Sequence, residues 1–219
     1  MVTRLDADVG RLLARLKELK LDEKTIVLLS AGDNGSAFNP ESELARFFDQ
    51  SLGMHGNKRS MYEGGLRQGG VVRWPGFVPA GKVSDYPWAF WDFLPTAAEL
   101  AGAQVPASVK VDGLSVLSAL TGGAGPQREY LYWELHEPNF MQALRAGDWK
   151  VVRPNLNSPV ELYDLAKDPG ERNDLSATQP EALKRLTALM AGARVDSPDW
   201  PMKQPGAQKK KGGTKKAKQ

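Results

Sequence analysis

The run Thr-Ile-Val-Leu-Leu-Ser-Ala-Gly at residues 25–32 constrains this chain more than any other stretch. It is apolar and β-branched with no polar alternation. That is the pattern of a short strand covered on both faces, as in a parallel sheet sandwiched between helices. Ahead of it, Leu5, Val9, Leu12, Leu13, Leu16 and Leu19 fall on one stripe, which predicts an amphipathic helix shaped to cover a sheet. Behind it comes the polar Asp33-Asn34-Gly35-Ser36, at the strand's C-terminal end. Ligands of open α/β sheets gather beyond the carboxyl ends of the strands, so Asp33 and Asn34 stand where a site is expected. Asp-Asn-Gly is also a natural tight turn, and that reading stays open beside the first.

Further on, residues 36–60 read as a loop with a short helical stretch around Glu43 to Phe48. Residues 69–76 read as a second buried strand ended by a Pro-Gly turn, and residues 92–103 as a helix with Pro95 early and Gly102 near its end. The glycine-rich 121–125 is the one break long enough to separate modules. Beyond it the segments EYLYWEL, MQALRAGDWKVVR and VELYDL are short, aromatic and β-branched, and Ala146-Gly147-Asp148 is a hairpin signal. A helix over 179–193 closes the pattern. The reading is therefore an α/β part over 1–125, a small antiparallel sheet with a helix over 126–200, and a lysine-rich tail over 201–219.

That tail carries seven lysines and no acid; removing its charge from the chain's net +3 leaves about −4 on residues 1–200. The tail is too polar to bury a core and is expected to be solvated and disordered. It has no aromatic residues, so nucleic acid is not expected as a partner. No run of 18 apolar residues exists, so no membrane span is expected. The opening MVTRLDADVGRLL has no apolar signal-peptide region, which taken literally reads as cytoplasmic. Cysteine is absent, which excludes disulfides, thiolate metal sites and cysteine nucleophiles.

Asp33 offers a carboxylate oxygen and Asn34 an amide oxygen, hard ligands suited to calcium or magnesium and poorly suited to zinc. Lys58 follows Asp33 by 25 residues, enough for a loop to return to the same rim. A lysine ammonium beside a divalent cation is repelled unless an anion lies between them, and a sulfate or phosphate ester would serve. Taken alone, Lys58 reads first as a solvated surface lysine. Glu63, Gly64, Gly65 and Arg67 are expected to shape and brace the loop rather than to touch substrate.

The segments TIVLLSAGDNG, GNKRSMYEGGLR, VVRWPGFVPAGKVSD, WDFLPTAAELAGAQVP, DGLSVLSALTG, LYWELHEPNFMQALRAGDWKVV and ELYDLAKDPGERNDLS, in this order, resemble the C-terminal part of a sulfatase of the arylsulfatase type. The resemblance covers roughly residues 1–193. It implies an α/β fold: the C-terminal part of an alkaline-phosphatase-like α/β/α sandwich, followed by a small antiparallel-sheet subdomain. It implies sulfuric ester hydrolysis of an aryl or carbohydrate sulfate, with one calcium ion and a formylglycine made from cysteine or serine. On this resemblance Asp33 and Asn34 match calcium ligands, and Lys58 matches the lysine that binds the substrate's sulfate group. His136 falls where related sulfatases often carry a pocket-mouth histidine. It reads equally well as a histidine satisfied at a strand end, and is not counted as a site residue.

The chain departs from the family pattern in carrying Ala31-Gly32 before Asp33 and Gln68-Gly69 after Arg67, neither of which removes a ligand. It also holds no Cys/Ser-x-Pro-Ser-Arg nucleophile motif. On this reading the chain is the latter part of an enzyme, inactive and poorly soluble alone, from a family that is commonly periplasmic or secreted. Two other readings compete. A phosphatase or phosphodiesterase of the same superfamily would place histidine, for zinc, where Asn34 stands. A non-enzymatic anion- or partner-binding module would use the lysine tail as its contact.

Overall fold

The computed structural model describes residues 2–30, 32, 34–37, 42–49, 51–137 and 139–202. Asp33 and the lysines from 203 onward lie outside the described residues. In chain order the elements are α1 (Val2–Glu18), β1 (Val27–Ser30), α2 (Glu43–Phe48), α3 (Glu63–Leu66), β2 (Gly70–Arg73), α4 (Phe93–Leu100), α5 (Leu117–Leu120), β3 (Leu131–Leu135), β4 (Met141–Ala146), β5 (Trp149–Arg153), β6 (Glu161–Asp164) and α6 (Pro180–Ala193). They form two compact units, each built from two stretches of chain: Met1–Asp33 with Gln68–Glu129, and Asn34–Arg67 with Tyr130–Gln219. The sequence pattern suggests a division at 125/126 with all of 1–125 on one side. The contacts divide the chain at 129/130 and group residues 34–67 with the later unit. No helix among the described residues is long and apolar enough to cross a membrane.

In the first unit, β1 pairs antiparallel with β2, Val27 opposite Arg73 and Ser30 opposite Gly70. This corrects the expectation of a strand enclosed in a parallel sheet. Among the described residues β1 has β2 as its one strand partner, and Leu29 is 43% and Val71 61% exposed. An apolar run reports that a strand can be covered on both faces; what covers it must come from other elements. The same holds for α1, which forms as its stripe predicts but buries none of its residues, leaving Leu5 63% and Leu12 67% exposed. The end of β2 is pinned by Arg73, whose two terminal nitrogens donate to both oxygens of Asp22 at 2.8 and 2.9 Å, and by Trp74, whose indole donates to the Glu23 carbonyl. The fully buried Asp92 organises the rest of the unit. Its carboxylate accepts the amides of Ala89 and Leu114 and the Arg128 guanidinium, so the buried charge is fully partnered.

The second unit is a four-stranded antiparallel meander, β3-β4-β5-β6. The expected hairpin is present: Ala146 pairs with Trp149 across a turn in which Gly147 takes φ +61°, a left-handed conformation that glycine adopts without steric cost. Side chains alternate across the pleat, and both faces are covered. On one face Leu144, Val151 and Leu162 pack beneath Leu186 and Met190, which lie four apart on α6, and each such buried side chain contributes about 1.5–3 kcal/mol. On the other face Met141, Ala143, Val152 and Tyr163 receive Met61, with Tyr62 and Leu66 against the same cluster. The segment around α3 is therefore seated on the sheet by its own apolar residues.

Candidate functional site

The loop carrying Lys58 is closed at its base, where the Gly64 amide donates to the His55 carbonyl at 2.7 Å. Inside it Ser60 ties a tight turn, its hydroxyl donating to the Asn57 carbonyl and accepting from the Asn57 amide, while Arg59 sits at φ +71°. A non-glycine residue held in that left-handed region is uncommon and is maintained by what surrounds it. The His55 ring stacks on Tyr62 with centroids 3.9 Å apart. The Tyr62 phenol donates to Glu161 at 2.6 Å; burial first, and that carboxylate second, push its pKa well above the ordinary phenol value. Lys58 is left exposed at the turn, and its ammonium pairs with no carboxylate among the described residues.

The segment after Asp33 is clamped to this loop by backbone alone. The Gly35 amide donates to the Gly65 carbonyl at 3.0 Å, and the Lys58 amide donates to the Ser36 carbonyl at 2.8 Å. The approach is so close that a Cβ on Gly35 would overlap the Gly64 carbonyl oxygen, and one on Gly65 would overlap the carbonyls of Ser60 and Asn57. This is the physical use of the glycines in the GNKRSMYEGG stretch. The structure thus brings the segment of Asn34 and the loop of Lys58 together, with Asn34 half-buried one residue before the first clamp.

Behind the loop lies a buried charge cluster. Glu63 Oε1 accepts from Lys150 Nζ at 2.8 Å, and the Glu63 amide donates to Glu171 Oε2 at 2.6 Å. Lys150 Nζ is also 2.8 Å from Glu171 Oε1, an ion-pair contact without hydrogen-bond alignment, and Arg145 stands 3.9 Å from Glu63. Lys150 is 0% exposed and points to the face of Val152, the face on which Met61 packs. Burial pushes the Glu171 carboxyl above its ordinary value, with Lys150 pulling the other way. Glu63 therefore braces the loop, as its place in the sequence suggests. Its partners Lys150 and Glu171 do not stand out in the sequence, although one signal for Lys150 exists: it sits between Trp149 and Val151 in a run whose alternate position, Val152, is apolar.

His136 keeps to the sheet edge. Its Nε2 lies 3.0 Å from Glu134 Oε1, its ring meets Phe140 edge-on and tilts against Trp200, and its buried Nδ1 has no hydrogen-bond partner among the described residues. Burial alone would raise the Glu134 carboxyl. Hydrogen bonds from His136 and Tyr132, with the charge of Arg194, hold it below its ordinary value.

Among the described residues there is no cluster of three or more histidine, aspartate or glutamate side chains able to hold a metal ion. The carboxamide of Asn34 and the carboxylate of Asp33 suit calcium in kind. In number they supply only part of the six to eight oxygens calcium takes.

Comparison with known proteins agrees with this picture. Residues 53–194 match the family described as N-sulphoglucosamine sulphohydrolase, C-terminal, and residues 1–103 match the family described as Sulfatase. Human steryl-sulfatase is 30% identical over 226 residues, covering 88% of this chain and 38% of that protein. A crystal structure of Ps i-CgsB in complex with k-i-k-neocarrahexaose superimposes with a TM-score of 0.77 at 27% identity, over 93% of this chain and 44% of that one. A structure solved with its substrate D-glucosamine-2-N,6-O-disulfate gives a TM-score of 0.71 at 28% identity, over 88% of this chain and 38% of that one. The chain spans about two-fifths of the length of the curated relatives it matches. Its α/β fold is that of the sulfatase structures it superimposes on. With an antiparallel-sheet unit seated under a clamped glycine-rich loop and a family match over most of its length, the chain belongs to the sulfatase family.

Proposed function

We propose that these residues contribute part of the sulfate-ester site of a sulfuric ester hydrolase, with Lys58 holding the sulfate group and Asp33 and Asn34 serving as two ligands of one calcium ion. The observation that carries the reading is the backbone clamp, Gly35 to Gly65 and Lys58 to Ser36, which joins the segment of Asn34 to the loop of Lys58. An exposed ammonium with no carboxylate partner among the described residues is placed to take a sulfate oxygen. The backbone that carries it is held before substrate arrives, because the Lys58 amide is tied to Ser36 and Glu63 and Met61 anchor the loop behind it. Positive charge placed in advance where negative charge gathers in the transition state is the most effective form of electrostatic catalysis. A bound calcium would polarise the sulfate oxygens. An aryl or carbohydrate sulfate ester is the proposed substrate class.

The 219 residues contain no cysteine and no Ser-x-Pro-Ser-Arg, so the formylglycine precursor of this chemistry is not among them. Without a nucleophile only charge stabilisation is left, orders of magnitude below a whole site. The purified chain, assayed on an aryl sulfate with calcium, is expected to show no turnover above background. Turnover near that of an ordinary sulfatase would contradict this part of the proposal. Stoichiometric zinc and hydrolysis of an aryl phosphate would point instead to a phosphatase, against which Asn34 stands.

A further inference from the structure

A cavity of about 500 Å³ opens in the second unit, lined by Leu52, Met54, Arg67, Asp168, Pro169 and Arg172 among others. That size falls within the range of small-molecule sites, roughly 300–1,000 Å³. Its charges are unequal. Asp168 Oδ2 is already engaged, accepting the amides of Arg172 and Asn173 at 2.7 and 2.8 Å and the Asn173 side chain at 3.4 Å. Arg172 donates one terminal nitrogen to the Gly53 carbonyl at 3.2 Å, which holds its guanidinium over the cavity. The Arg67 guanidinium is exposed and makes neither an ion pair nor a hydrogen bond among the described residues. Two guanidinium forks against one occupied carboxylate leave the cavity with unspent positive charge, and such forks match the oxygens of a sulfate or carboxylate. The remaining wall, Leu52, Met54 and Pro169, is apolar and suits the C–H face of a sugar ring.

The cavity lies at the base of the loop whose turn carries Lys58. Met54 directly precedes His55 and Arg67 follows Gly64 and Gly65, so the His55–Gly64 bond separates the cavity residues from the loop proper. Lys58 is four residues from Met54, at most about 14 Å along an extended backbone, a span that a short oligosaccharide bridges. We propose that this cavity is a second anion site, taking a sulfate or carboxylate group on the same saccharide whose sulfate ester is held at Lys58. The inference rests on the sulfate-binding role proposed for Lys58.

The test follows the side-chain Nε–H resonances of Arg67 and Arg172 and the amide of Lys58 in the full chain. Two probes are titrated, inorganic sulfate and a disaccharide bearing one sulfate ester and one carboxylate. The disaccharide is expected to move all three signals along one binding curve. Arg67→Gln, a change at an exposed side chain with no partner to lose among the described residues, is expected to weaken it about tenfold while leaving sulfate binding at Lys58 unchanged. Leu52→Glu, which adds a carboxylate to the cavity lining, is expected to weaken it as well. Shifts at Lys58 with both arginines unmoved, or an undiminished affinity in Arg67→Gln, would overturn the second site. Inorganic sulfate saturating the arginines while the disaccharide leaves them unmoved would overturn the saccharide assignment. Shifts at the arginines with none at Lys58 would support the cavity as an anion site and remove the role of Lys58 instead.

Discussion

Lys150 is fully buried between two glutamates, and the cluster it centres fixes the loop at the candidate site. Removing the lysine leaves Glu63 and Glu171 buried without their cation, the costly way to break a buried ion pair. Lys150→Met is expected to lower the unfolding free energy by about 3–5 kcal/mol in urea titrations; a loss below about 1 kcal/mol would mean the carboxylates are solvated. Glu171 adds a pH dependence. Its folded-state pKa is raised above the ordinary 4.5 by burial, so its contribution to stability is complete below about pH 4.5 and is lost as pH rises through the folded value. The stability advantage of the native chain over Glu171→Gln should therefore shrink between pH 4 and pH 7, and an advantage that grows over that range would contradict this. Asn34 and Lys58 are legible as candidates because they sit in compact local motifs. The partners of Glu63 are not, since Lys150 and Glu171 lie 87 and 108 residues away and only the fold brings them in.

At the level of elements, the amphipathic helices, the hairpin at Gly147 and the closing helix α6 all follow from local pattern. Periodicity and turn chemistry are properties of a few adjacent residues. The surroundings of β1 do not follow, because an apolar run says nothing about which element will cover it. The clamp between the Gly35 segment and the Lys58 loop is likewise hidden from the sequence, being made of backbone groups that every residue possesses. Its glycines are the only trace. Gly35→Ala should force the two segments apart at a cost of about 1–3 kcal/mol. Amide exchange should speed up at Gly35 and Lys58, whose N–H groups make the two clamp bonds. Gly10→Ala is the matched control: it lies within α1 with nothing within 4 Å of its Cβ, and should stabilise the helix by up to about 1 kcal/mol. Unchanged exchange at Lys58 in Gly35→Ala would show that the clamp does not position the loop.

For the molecule as a whole, the first unit exposes much apolar surface: the stripe of α1 and the half-covered pair β1 and β2. Unpaired strand edges and large apolar patches template association. The chain is expected to be poorly soluble, with fast amide exchange across residues 1–35, and Leu5→Lys with Leu12→Lys should raise the monomer fraction in size-exclusion chromatography. A soluble native monomer with protected amides from Ile26 to Ser30 would show a self-sufficient unit instead. The same double variant gives the sample for the central question, whether this chain carries the sulfate-binding part of a sulfatase site. Its amide spectrum should be recorded during a titration with inorganic sulfate in the presence of calcium. Shifts should concentrate on Asn34 to Ser36 and on Lys58 and Arg59, and should vanish in Lys58→Ala. Sulfate leaving those residues unmoved, or moving them equally in Lys58→Ala, would contradict the account.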